Sequence, residues 1–173
     1  MQNNKQPLHY LLALKLLKGV GDVTACKLLD HFKDAKAIFH ADKAELKALS
    51  LKASVVHQIK QFDFFLLEPL LSWANQDDCF IIELGSPLYP PLLAEIHTPP
   101  LVLFVRGNPE LLLSAQIAVV GSRSPSSQGL ENTRNFCQAL AEQGLTITSG
   151  MAMGIDGEAH RAALANNKST IAI

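Results

Sequence analysis

Three short stretches of the sequence combine glycine with hydroxyl or cationic side chains in a way that suits phosphate. The first is Val120-Gly121-Ser122-Arg123-Ser124. Gly121 permits close backbone approach, Ser122 and Ser124 offer hydroxyls, and Arg123 offers a planar fork that matches phosphate oxygens. The second is Thr148-Ser149-Gly150-Met151-Ala152-Met153-Gly154-Ile155-Asp156-Gly157, with three glycines in eight residues. Such a loop can wrap an anion with its N–H groups. Asp156 falls where a helix should begin, and a carboxylate there repels phosphate, so its expected task is to hold the loop. The third is Lys18-Gly19-Val20-Gly21, a glycine hairpin between two helical stretches with Lys15 and Lys27 close by. Each stretch also has a plain reading: two ordinary strand-to-helix turns and a packing hairpin.

Other chemistries find little support. After Gly121 the next glycine is Gly129, so the dinucleotide fingerprint G-x-G-x-x-G is absent, as is a Walker A loop. His160 follows Asp156 by four residues, but no further ligand stands at metal-binding spacing, and a packed or hydrogen-bonded histidine is expected. No Ser/His/Asp arrangement emerges. Cys26, Cys79 and Cys137 are widely spaced and odd in number, which points to free thiols in a reducing cytoplasm.

The elements that must position these stretches change character along the chain. Residues 1–78 read helical. Leu8, Leu11, Leu12, Leu14 and Leu16 form one apolar helix. Asp22, Asp34 and Asp42 are expected caps, Ser54 should begin a helix running through Val55, Ile59, Phe62 and Phe65, and Pro69 suits the first turn of another. From residue 79 short β-branched runs appear: 79–84, 101–105, 117–120, 145–148 and 170–173. The run 117–120 is continuously apolar, as for a strand buried on both faces. Ser127 is expected to cap the helix between the third and fourth runs, and Gly144 to end it. Helical crossovers of that length imply parallel strands, which would bring the loops after 120 and 149 side by side at one sheet edge. The expected organisation is a helical domain over 1–78 and, over 79–173, the first part of a doubly wound parallel α/β sheet. A sheet that stops inside its third parallel strand buries little, so the sequence is expected to be a piece of a longer protein.

Composition adds limits. Of 173 residues, 48% are hydrophobic, enough for a core, and the net charge is −1. Residues 1–78 carry 10 basic and 9 acidic side chains, and residues 79–173 carry 5 and 7. The overall balance therefore does not announce a nucleic-acid partner. The polar start lacks a signal-peptide core, and no apolar run reaches 18 residues, so no membrane association is expected.

Ser149-Gly150-Met151-Ala152-Met153-Gly154-Ile155-Asp156-Gly157-Glu158-Ala159-His160-Arg161-Ala162-Ala163-Leu164 resembles the S-G-x-A-x-G-I-D-x-x-A-H-x-x-A-L signature of the DNA-processing protein A (DprA/Smf) family. Val119-Val120-Gly121-Ser122-Arg123 is similar to its V-G-S-R element, and Tyr89-Pro90 through Asn108 to its Y-P…P-P-x-L-x-x-x-G-N segment. The resemblance covers nearly the whole chain. It implies a small helical sterile-alpha-motif-like domain before a Rossmann-like domain that binds single-stranded DNA. It also implies a protein that loads a RecA-type recombinase on incoming DNA during natural transformation, as a homodimer when full-length, with no metal or nucleotide cofactor and no catalysis. Arg123 corresponds to a DNA-contacting arginine. Gly121, Ser122, Ser124, Ser149, Gly150 and Gly154 correspond to the DNA pocket, with Asp156 and His160 supporting the loop. One departure is Met153, where many members carry a basic residue.

Two other functional readings stay open at the level of sequence. Nucleotide-binding enzymes related to the lysine-decarboxylase-like phosphoribohydrolases use similar glycine-rich strand ends, marked by a P-G-G-x-G-T-x-x-E loop that residues 1–173 lack. A structural interaction module built on the helical half is the other.

Overall fold

The computed structural model describes residues 7–165 and 168–173. The chain divides into two compact units, Met1–Pro109 and Glu110–Ile173.

In the first unit, helices α1 (Pro7–Leu16), α2 (Asp22–Phe32), α3 (Ala35–His40), α4 (Lys43–Ala48) and α5 (Ala53–Lys60) follow one another. A 3-10 turn, Phe64–Leu67, leads into α6 (Glu68–Ala74), which carries Pro69 in its first turn as expected. Their apolar faces meet in a core around Leu14, Leu28, Ile38, Leu46, Val55 and Ile59. Tyr10, Phe39, Phe62 and Phe64 stack beside it, with ring centroids 5.1–5.8 Å apart. Asp34 caps α3 by accepting from Lys36 N at 3.1 Å. Asp22 does not cap α2, because Gly21 occupies that position and Asp22 is already the first helical residue. Asp42 precedes α4 without a side-chain bond. The helix expected from Ser54 through Phe65 ends at Lys60. Asp63 accepts from Phe65 N at 3.0 Å and starts a separate 3-10 turn, which swings Phe62 and Phe64 into the aromatic cluster.

The first unit reaches 31 residues beyond the expected boundary at 78, to Pro109. Strand β1 (Cys79–Glu83), a short helix α7 (Pro91–Ala94) and β2 (Val102–Arg106) complete it. The two strands pair with each other, antiparallel, from Cys79 opposite Arg106 to Glu83 opposite Val102. Val102 packs with Leu12 and Leu67, and Leu101 joins the helical core. The β-branched run at 79 thus marks a change of secondary structure. The change of compact unit comes 31 residues later, because this hairpin buries its apolar side on the helices before it.

The second unit opens on a 3-10 turn, Pro109–Leu113, and continues β3 (Gln116–Ala118), α8 (Ser127–Glu142), β4 (Thr146–Ser149), α9 (Ile155–Ala165) and β5 (Thr170–Ala172). The strands lie in the order β3-β4-β5, all parallel, with Gln116 beside Thr146 and Ile147 beside Thr170. This is the Rossmann-like α/β arrangement that the two crossovers imply. Ser126, not Ser127, caps α8: its Oγ accepts from Gly129 N at 3.1 Å. Gly144, at φ +87°, ends it. Helices α8 and α9 pack on each other, and Cys137, Ala141, Ala159, Ala162 and Ala163 close on Ile147, Ile117 and Val119. The expectation of burial on both faces fails for β3. Ile117 and Val119 turn to the helices, while Gln116, Ala118 and Val120 are exposed. Both helices of this unit pack on one face of the sheet, and alternate side chains of a strand point to opposite faces.

A candidate nucleic-acid interface at the strand ends

The loops after β3 and β4 leave the same edge of the parallel sheet, as the strand pairing requires. Their roots are tied together. Val119 N donates to Thr148 O at 2.9 Å, and Ser149 Oγ donates to Val119 O at 2.6 Å. Ile173 N donates to Ser149 O at 3.0 Å, which adds the end of β5 to the same row.

Two glycines let the loops touch. A β-carbon at Gly121 would stand 2.6 Å from Ile155 Cγ1 and 2.7 Å from its Cβ. Gly154 has φ +89°, and a β-carbon there would collide with Ser122 O and lie 2.9 Å from Arg123 Cα. Both distances are below any tolerable carbon contact, so glycine is required at both positions. The close approach allows Ile155 N to donate to Ser122 O at 3.1 Å. The start of α9 is thereby fixed beneath the Arg123 loop. Within that loop Ser122 Oγ accepts from Ser124 N at 3.0 Å and closes a tight turn.

Gly121, Ser122, Arg123, Ser124 and Gly150 are exposed at this edge, and no described residue accepts a hydrogen bond from the Arg123 guanidinium. The remaining expected residues stand differently. Ser149 is 2% exposed and its hydroxyl is committed to Val119, so it anchors the strand ends instead of facing outward. Gly154 is partly buried beneath Ser122. Asp156 is buried, and its Oδ2 accepts from Ala152 N over 3.4 Å, a long bond across the glycine loop. Met151 holds φ +59°, an uncommon conformation for a residue with a side chain, and Met151 and Met153 are both largely exposed.

His160 lies away from the loop. Thr170 Oγ1 donates to Ile147 O at 2.7 Å, so its oxygen is left to accept from His160 Nδ1, also at 2.7 Å. The bond assigns the proton to Nδ1 and ties α9 to β5 and β4. His160 Nε2 is buried without a partner among the described residues.

One group of charged residues escaped the sequence reading. Glu158, 5% exposed in the first turn of α9, accepts from Arg134 Nε on α8 at 2.7 Å, from Arg161 Nη2 at 2.8 Å and from Arg161 Nε at 3.1 Å. The Arg161 bonds hold its carboxyl below the usual glutamate range, burial opposes them, and Arg134 adds to the lowering. Glu158 and Arg161 at i,i+3 carried a signal in the sequence. Arg134, on another helix, carried none.

Beside the hairpin Gly19-Val20-Gly21, three backbone groups are bonded internally. Gln58 accepts from Lys18 N at 3.0 Å and donates to Lys18 O at 3.1 Å, and Val20 N donates to Leu17 O at 3.2 Å. Lys15 Nζ stands 3.8 Å from Asp22.

Comparison with known proteins agrees with this architecture. A family model for DNA recombination-mediator protein A matches residues 80–173. Protein Smf of Escherichia coli is 41% identical over 134 residues, 78% of this chain and 36% of that protein. The DNA processing protein DprA of Streptococcus pneumoniae is 36% identical over 158 residues, 91% of this chain and 46% of that one. An X-ray structure of DNA processing protein A from S. pneumoniae superposes with a TM-score of 0.75 at 32% identity, covering 95% of this chain and 56% of that chain. The chain thus spans about half, or less, of the proteins it matches. With its two loop signatures, its parallel sheet and these matches, the chain belongs to the DNA recombination-mediator protein A (DprA/Smf) family.

Proposed function

We propose that residues 110–173 supply the phosphate-binding edge of a single-stranded-DNA site, in a protein that passes the strand to a RecA-type recombinase during natural transformation. The observation that carries this reading is the exposed Arg123 guanidinium, which has no hydrogen-bond partner among the described residues. It sits on a turn that Gly121 and Gly154 lock against the start of α9. Arg123, Ser124 and the exposed backbone of Gly121, Ser122 and Gly150 form the DNA-facing part of the site. Ser149, Gly154 and Asp156 act beneath it, by holding the two loops together.

In this reading the protein works by binding. A fixed arginine and backbone N–H groups neutralise phosphate, and bases lie against apolar surface. The net charge of −1 leaves little long-range attraction for DNA. Contact must therefore come from local geometry and from further positive groups of the full-length, homodimeric protein in the cytoplasm.

The test is Arg123→Ala in the full-length protein, with fluorescence anisotropy on single-stranded DNA at several salt concentrations. Affinity should drop, the dependence of log affinity on log salt should become shallower by roughly 0.7, and the melting temperature should hold. An unchanged affinity and slope would remove Arg123 from the site. Recombinase loading is checked separately, by the rate at which a RecA-type protein assembles on DNA coated with a single-strand-binding protein.

A further inference from the structure

Glu158 is a buried carboxylate with more positive charge around it than its own neutralisation needs. Of the three bonds to Glu158, the one from Arg134 Nε runs between α8 and α9. Arg161 lies on the same helix as Glu158, three residues on, so its two bonds add nothing to that connection. Their effect is to orient. The Arg134 and Arg161 side chains are 55% and 67% exposed, against 6% for Glu158. Arg134 is held through Nε and Arg161 through Nε and Nη2, while both side chains stay more than half exposed. No described residue accepts from the Arg134 Nη groups or from Arg161 Nη1. Two arginine forks held rigidly by one carboxylate leave a net positive charge with donors in place, an arrangement suited to phosphate oxygens. Glu131, one turn earlier on α8, opposes this charge, but it is exposed and screened by water.

The position of the pair matters as much as its charge. Ile155 N is bonded to Ser122 O, so α9 starts at the Arg123 loop. Arg161 is six residues further, about 9 Å along the axis at ~1.5 Å per residue. Arg134 is eight residues past the Ser126 cap, about 12 Å from the same edge. Both arginines therefore stand within about 12 Å of the loop edge, measured along the helix axes. The span is a few nucleotides of a strand rising about 3.4 Å or more per phosphate.

We propose that Arg134 and Arg161, oriented by Glu158, form a second phosphate-binding site that continues the strand held at Arg123. The proposal rests on the single-stranded-DNA reading above. It makes Glu158 a positioning residue and the two arginines strand contacts.

The experiment uses the full-length protein with the triple change Arg134→Gln, Arg161→Gln and Glu158→Gln, which removes the forks without leaving an unpaired buried charge. Anisotropy is measured against oligothymidylates of about 5 and about 15 nucleotides, within the range of known single-strand site sizes. For the longer strand, affinity should fall several-fold and the salt slope should lessen by roughly 0.7–1.4, one or two contacts. The short strand also covers the distance from the loop to the pair, so its affinity should fall as well. Should the triple variant melt early, Arg134→Gln alone keeps the Glu158–Arg161 pair, and its slope should lessen by roughly 0.7. A folded variant with unchanged slope and affinity on the longer strand overturns the second site alone. In that case Arg123→Ala still weakens both lengths, and the arginine pair serves the fold or a protein partner. A wild type that binds neither strand overturns both readings together.

Discussion

Two glycine-rich turns, Gly19-Val20-Gly21 and the pair of loops around Gly121 and Gly154, look alike as sequence. Both place glycines and a cation where helices begin. In the hairpin, the backbone N–H and C=O of Lys18 are bonded to Gln58, Val20 N is bonded to Leu17, and Lys15 stands near Asp22. At the strand ends the glycines allow two loops to lock together, and Arg123 is exposed with no partner among the described residues. Glycine spacing therefore identifies a tight turn. Whether the turn can bind an anion depends on where its donors are already spent, and only the packed structure shows that.

The comparison can be broken most sharply at its glycines. Gly154→Ala adds a β-carbon at φ +89° against Ser122 O, and should cost about 2–4 kcal/mol from backbone strain and overpacking. Gly21→Ala meets open space at an ordinary φ, and should cost under about 1 kcal/mol, the difference between two uncharged caps. Chemical denaturation of both variants decides the matter. Equal costs would mean that the loops are not locked as described.

A smaller effect lies at Glu158. Its folded carboxyl is held below the usual range, so the bonds from Arg161 and Arg134 stabilise the fold above the ordinary glutamate pKa of about 4.3. That stabilisation is lost as the pH falls through the lower, folded value. Glu158→Gln should cost about 2 kcal/mol at neutral pH, the worth of charged hydrogen bonds. It should also flatten the acid limb of a stability–pH curve below about pH 4. An acid limb identical to the wild type would deny the carboxylate this role.

The smallest effect belongs to the hairpin. Gln58→Ala removes the side chain that serves Lys18 and should cost about 1 kcal/mol, with single-stranded-DNA affinity unchanged. A tighter complex after this change would show that the hairpin donors reach DNA once they are released.

Much of the fold was legible because it follows from local rules. Helical apolar spacing located α1 to α6, β-branched runs located β1 to β5, and crossover length required β3, β4 and β5 to be parallel. The errors were also local in kind. Asp22 and Ser127 are acceptable capping residues by type, yet each stands one residue inside its helix because Gly21 and Ser126 hold the cap. β1 and β2 look like the opening of an α/β sheet, yet they pair with each other, and the first compact unit runs on to Pro109. Of the site residues, Arg123 and its glycines were legible as a motif, whereas Ser149 faces inward and His160 bonds to Thr170; Asp156 accepts from Ala152 N across the loop it was expected to hold.

The sequence by itself determined the family, the kind of each element and the edge at which β3 and β4 release their loops. These depend on residue type and spacing within a few turns of chain. Tertiary structure alone decided which polar groups remain available. Gln58 reaches Lys18 across 40 residues, Ser149 spends its hydroxyl on Val119 across 30, and Arg134 meets Glu158 across 24. A side chain's hydrogen-bonding capacity is finite, so each such partnership removes a group from the surface or fixes one upon it, and no local pattern records which.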